Sequence, residues 1–185
     1  GDTTEDSHEV LPVCTLDAET IKSREVAPYR ELIQNPPHLD MVMTAHVKYP
    51  NLDPDCPATF SRPIIQELLR LELGFKGLVV TDDLEMKAIS DNYQLGDVTR
   101  GALTAGVDLF LVCHSLDKQV EVLETLLKEA EGGYPKHLWD RSANRIREHK
   151  KRHFRVVRTI DRGHARELVG NREHQRIARR LKEGK

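Results

Sequence analysis

Apolar positions in this chain fall into short runs between polar loops, and their spacing alternates between that of a helix and that of a buried strand. Leu16, Ile21, Val26 and the pair Leu32-Ile33 recur at uneven steps around Pro28, which predicts two short helical pieces. Asn35-Pro36-Pro37 breaks the chain. The run from Leu39 to Val47 predicts a strand buried on both faces, followed by a Pro- and Asp-rich loop from Lys48 to Ala58. Ser61 suits an N-cap and Pro63 a first turn. Ile64, Leu68, Leu69 and Leu71 form an apolar stripe that Gly74 stops. Gly77 to Thr81 predicts a second buried strand, ending at Asp82-Asp83. A helix from Asp97 to Ala105 closes at Gly106, and Val107 to Cys113 predicts a third strand. Val120, Leu123, Leu126 and Leu127 mark the core face of a helix from Asp117 to Glu131, ended by Gly132-Gly133. A last amphipathic helix, Leu138 to Phe154, precedes a polar tail.

Helices alternating with buried strands imply βαβ units and a parallel sheet. Three strands do not close a (β/α)8 barrel, which takes about 250 residues. The pattern therefore fits either a small open α/β sheet or part of a barrel. Both architectures place ligands at the carboxyl ends of the strands. This singles out His46, Asp82-Asp83 and His114-Ser115. Asp82, after four apolar residues and a threonine, is placed to attack a developing cation; the plainer reading is a helix cap beside a solvated loop residue. Asp6 lies two residues from His8, a pair that can orient and charge-stabilise an imidazole for acid–base work, or simply an exposed loop histidine. His46 either lines a site or is a satisfied core histidine. The sequence contains neither a Gly-rich phosphate loop, nor metal-spaced His or Cys, nor a G-x-S-x-G elbow, so no metal or cofactor is expected.

Composition changes the picture in three places. The chain is 38% apolar and 31% charged, polar for its length, and no run approaches the ~20 residues of a membrane helix. It opens on Gly1-Asp2 without a Met, so sequence upstream is expected. Three cysteines at irregular spacing favour a reducing compartment over a disulfide framework, with Cys113 expected in the core. From Lys136 onward, 17 Lys and Arg stand against 6 Asp and Glu, although the whole chain carries a net −2. A basic tail can bind nucleic acid or an anionic surface. Without interleaved aromatics, a solvated helix face is the expectation and nucleic acid is not expected as a partner.

Five blocks resemble family 3 glycoside hydrolases of the β-N-acetylhexosaminidase type. Gly1-Asp2-Thr3-Thr4-Glu5-Asp6-Ser7-His8-Glu9-Val10-Leu11-Pro12 is similar to the end of the motif K-H-F-P-G-H-G-D-T-x-x-D-S-H-x-x-L-P. Met43 to Asp53, with Pro57 to Ser61, resembles the next block. Leu73 to Met86 resembles the nucleophile strand, and Ala105 to Asp108 the entry to the last barrel strand. Val169 to His174 resembles a segment found after the barrel. The resemblance implies an α/β fold, a partial (β/α)8 barrel contributing its last three strands over residues 1–135, with a terminal helix and basic tail over 136–185. It implies retaining hydrolysis of β-linked N-acetylglucosamine in muropeptide-type substrates, in the cytoplasm. Asp82 is then the nucleophile, His8 the acid/base and Asp6 its partner, while His46 and Met86 line the pocket and Asp83 is a structural cap. The Lys-His-Phe-Pro-Gly-His half of the first motif lies outside these residues, so the chain alone is not expected to turn over substrate. Either a complementary N-terminal chain or self-association completes the site, or the chain is a non-catalytic remnant or subunit acting through exposed strand edges or an anion-binding basic tail.

Overall fold

The computed structural model describes residues 2–3, 5–35, 39–154 and 161–184. Contacts divide the chain into two compact units, Gly1–Lys151 and Arg152–Lys185. The first unit is an α/β layer built on one parallel sheet, strand order β1-β2-β3, with β1 Met41–Met43, β2 Leu78–Asp83 and β3 Leu109–Leu111. Its helices are α1 (Ala27–Gln34), α2 (Pro63–Glu72), α3 (Lys87–Ser90), α4 (Leu95–Ala105), α5 (Leu116–Glu131) and α6 (Lys136–His153). Ser142 and Arg145 of α6 bind Asp108 at the start of β3, which ties that helix to the sheet.

The uneven spacing before Leu32 has a physical form. A three-residue turn, Ala18–Thr20, runs into a widened i→i+5 turn, Ile21–Glu25, in which the Val26 N–H donates to the Ile21 carbonyl. After it α1 begins anew, with Pro28 at its start. Helix α2 is also wound i→i+5, and Ser61 caps it by accepting from the Ile64 N–H at 3.2 Å. The widened winding alters the buried face. Ile65, Leu68, Leu69 and Leu73 enter the core, whereas Leu71, expected there, is 70% exposed.

Gly74 and Gly106 end α2 and α4 with φ of +74° and +100°, as expected of C-terminal glycines. Gly77 has a different reason to be glycine: a Cβ there would lie 2.3 Å from the Asp40 carbonyl oxygen and 2.6 Å from the Phe75 ring.

Strand β2 is the centre of the sheet and is buried from Leu78 to Thr81. Val79 packs against the main core beneath α2 and α4, while Leu84, Ile89, Val98 and Val122 form a second cluster. Strand β1 departs from expectation. It lies at the sheet edge, and Met41 and Met43 are exposed while Val42, between them, packs against the main core. Its run is therefore covered on one face only. Helix α5 departs likewise: Val122 and Thr125 are buried, with Leu126 packed beside Val122, while Val120, Leu123 and Leu127 are exposed. Cys113 is also exposed, and the core cysteine is Cys14, fully buried.

In the second unit, α7 (Arg162–Leu168) and α8 (Arg172–Lys182) are capped by Asp161 and Asn171, and neither helix contains a buried residue. No helix among the described residues is long and apolar enough to cross a membrane.

Candidate active site

The polar groups of the first unit gather where the parallel strands end. Strand β2 delivers Asp82 and Asp83 as its last two residues, both half-buried, with Asp83 in register with Leu111 of β3. The Asp82 carboxylate accepts from the Asp83 N–H at 2.8 Å, which fixes its orientation at the strand exit. Asp83 organises the turn that follows: its Oδ1 accepts from the N–H groups of Glu85 and Cys113 at 3.2 Å each, and its Oδ2 lies 3.3 Å from His114 Nε2. The helix that follows has Met86 at its N-cap position and takes no side-chain cap, so Asp83 holds the turn and the β3 exit rather than a helix end.

The N-terminal segment reaches this site by backbone pairing. Cys14 N–H donates to the Lys48 carbonyl and Lys48 N–H to the Pro12 carbonyl, at 2.8 and 2.9 Å. Further back, the Ala88 N–H donates to the Ser7 carbonyl at 3.3 Å, and Lys87 pairs with Glu9 at 2.8 Å. Ser7 is therefore anchored to α3, which follows the Asp82-Asp83 turn. Its neighbours Asp6 and His8 form a closed unit: Asp6 Oδ1 accepts both the His8 N–H at 2.9 Å and His8 Nδ1–H at 2.8 Å.

That geometry fixes the tautomer, leaves Nε2 free, and is electrostatically one-sided. Donation from the His8 backbone, then from its ring, holds the Asp6 carboxyl below the usual carboxylate range. The bond to Asp6, followed by the charge of Asp6, raises the His8 imidazole above its ordinary value, and the nearby charges of Asp82 and Glu9 add to the shift. Both side chains are largely exposed to solvent.

His46 does not face the surface. Its ring is fully buried, Nε2–H donates to the Asp83 carbonyl at 2.9 Å, and Nδ1 accepts from the Thr59 hydroxyl at 2.7 Å. Burial pushes its pKa down, and the bond to the Asp83 carbonyl and the charges of Asp82 and Asp83 oppose this. His46 therefore acts on the site through the backbone of Asp83. Met86 is buried at the start of α3, its N–H donating to the Asp83 carbonyl at 3.1 Å.

Sequence reasoning missed Glu85. Its carboxylate accepts from the N–H groups of His114 and Ser115, at 2.5 and 3.1 Å, just before α5. Its pKa is lowered to about 2, first by hydrogen bonding from Ser115, with His114 N–H and Lys118 adding to it. A carboxylate two residues after a strand, followed some 30 residues later by a second strand and a helix start, is a signal that only the fold makes readable.

The fold and this site define an α/β protein that presents an aspartate and an aspartate-bound histidine at the carboxyl end of a parallel sheet. Comparison with known proteins makes the assignment specific. The profile of the glycosyl hydrolase family 3 N-terminal domain matches residues 1–148, and the chain belongs to that family. A β-hexosaminidase of Methylobacillus flagellatus is 40% identical over 124 residues, covering 65% of this chain and 34% of its own length. Another, from Hydrogenovibrio crunogenus, is 36% identical over 151 residues, 82% of this chain and 40% of its own. Among solved structures, a family 3 β-N-acetylglucosaminidase from a Paenibacillus species superposes with TM-score 0.81 at 42% identity, over 88% of this chain and 32% of that one. The chain thus spans about a third of the length of these relatives.

Proposed function

We propose that these residues form the nucleophile-bearing part of a retaining β-N-acetylglucosaminidase, and that the sheet is the last three strands of a (β/α)8 barrel. The observation that carries this reading is the Asp6–His8 pair, tethered through Ser7 to the helix that follows Asp82. Asp82 attacks the anomeric carbon as protonated His8 gives its proton from Nε2 to the leaving oxygen. The product is a glycosyl ester on Asp82. Neutral His8 then removes a proton from water, which cleaves the ester and restores both groups. The usual scheme uses two carboxyl groups about 5–5.5 Å apart. Here an imidazolium replaces one of them, and the hydrogen bond to Asp6 favours its charged form. The substrate is a carbohydrate with a terminal β-linked N-acetylglucosamine, of the muropeptide type, and the compartment is the cytoplasm.

The remaining strands, and the groups that grip the sugar hydroxyls, must come from outside these residues. Positioning of that kind can account for ~7–11 kcal/mol of a barrier. The exposed Met41 and Met43 at the β1 edge favour a partner segment there. The test mixes this chain with the N-terminal part of a family 3 β-hexosaminidase and follows release from a fluorogenic N-acetyl-β-glucosaminide. Hydrolysis by the mixture should disappear with Asp82→Asn and fall about 10²–10⁴-fold with His8→Asn. Undiminished turnover by Asp82→Asn would remove the nucleophile assignment.

A further inference from the structure

A second cluster of polar groups lies at the opposite end of the sheet, where β3 begins. There a cavity of about 310 Å³ opens between α2, α4 and α6, and its lining includes Gly106 and Val107, the residues that lead into β3. Three arginines line it, Arg62, Arg141 and Arg145, and no carboxylate does. Deeper in, Asp108 carries two guanidinium groups. Arg70 Nη2 donates to its Oδ2 at 2.8 Å, and Arg145 donates to its Oδ1 from Nη2 at 2.6 Å and from Nε at 3.0 Å. One carboxylate therefore balances only one of that pair. Among the described residues, Arg62 and Arg141 make no ion pair.

The excess charge acts on the buried members. Burial depresses Arg70, and the neighbouring Arg145 and Arg141 oppose the attraction of Asp108. Two donors there are also unsatisfied: Trp139 Nε1 and Arg70 Nε are both shut from solvent and have no partner. A buried donor without an acceptor is unfavourable, and Trp139, which lines the cavity, is the one an entering acceptor oxygen would satisfy. Beside these groups, Tyr134 and Trp139 stand edge to face with ring centroids 5.5 Å apart, giving the cavity an apolar wall. Gln66 adds an amide.

We propose that this cavity binds a phosphate group, free or carried on a body no larger than a monosaccharide. More than one uncompensated positive charge favours a dianion over a carboxylate. Guanidinium forks match phosphate oxygens in pairs, and the aromatic wall accommodates a small organic body. The volume lies at the lower end of the ~300–1,000 Å³ typical of ligand sites, which excludes a dinucleotide. The site is separate from the Asp82 end of the sheet, so it holds no acceptor for the glycosyl group, and the inference does not rest on the glycosidase reading.

Trp139 is the only tryptophan in the sequence, so the emission of the full chain reports this cavity alone. Inorganic phosphate and glucose 6-phosphate are titrated separately, with ionic strength held constant by chloride. The expected result is a saturable change in emission with at least one of them, at least tenfold weaker in Arg62→Gln/Arg141→Gln. Both residues are exposed and unpaired, so the urea midpoint of that variant should match the parent. Calorimetry on each single variant repeats the measurement. Tighter binding of glucose 6-phosphate assigns the site to a phosphorylated sugar, and equal binding assigns it to the phosphate group alone. No saturable response to either probe, or an undiminished one in the double variant, overturns the proposal.

Discussion

At the scale of single residues, the candidate site is an arrangement of charge that can be tested one atom at a time. Asp6 raises the His8 imidazole through one hydrogen bond, so its contribution has a definite sign. A raised histidine holds its stabilising interaction fully below its ordinary value and loses it as pH rises through the raised one. In Asp6→Asn the ring should titrate at lower pH than in the parent, measured by NMR of the His8 ring. In the assembled enzyme the alkaline limb of kcat/KM should move down by the same interval. An unmoved midpoint would show that Asp6 does not set the protonation of His8. Asp108 gives the complementary case of a buried charge. Its side chain is fully enclosed and holds Arg70, Arg145, Ser142 and the Val79 N–H together. Asp108→Asn leaves two guanidinium groups without their counter-charge and should destabilise the chain by about 3–5 kcal/mol, read from urea unfolding.

Elements show which physical signals a sequence carries. The caps were legible: Ser61, Gly74 and Gly106 each sit where a local rule puts them, because a cap is decided by its own backbone. Which apolar face meets the core was less so. Helix α5 holds Leu116, Val120, Val122, Leu123, Leu126 and Leu127, enough for more than one face, and only contact with α4 selects Val122 and Leu126. In α2 the i→i+5 winding moved the stripe off Leu71. For the site, the Asp6–His8 pairing followed from spacing and Asp82 from its place after a strand. Glu85 did not, since its partners His114 and Ser115 come from another strand exit. That carboxylate also yields an element-scale prediction. Its pKa is depressed to about 2, so its hold on the start of α5 is present above about pH 4.5 and fades as pH falls toward 2. Glu85→Gln should therefore unfold at lower urea than the parent at pH 7, and the gap between the two midpoints should narrow as pH is lowered from 4.5 toward 2. A gap independent of pH would mean that shape, not charge, holds the helix start.

For the whole molecule the apolar groups left outside are as informative as those inside. Leu116, Val120, Leu123 and Leu127 lie four, three and four residues apart, one continuous strip of α5, and all are exposed. Met41 and Met43 are exposed at the β1 edge, where one side of the strand ladder has no neighbour among the described residues. Monomeric proteins seldom present apolar strips and bare sheet edges together, because both promote association. In a closed barrel each strand has two neighbours and each helix packs between two others. The strip and the edge are where such neighbours would stand, which accords with a chain about a third the length of its relatives. The isolated chain should therefore self-associate at micromolar concentration in analytical ultracentrifugation. Leu123→Lys/Leu127→Lys should disperse it without lowering its urea midpoint, since neither side chain belongs to the core. The same double variant should also fail to restore hydrolysis with an N-terminal part, although Asp82, His8 and Asp6 are untouched. If it stays as associated as the parent yet complements fully, α5 does not face the added N-terminal part, and the association must be sought at the β1 edge.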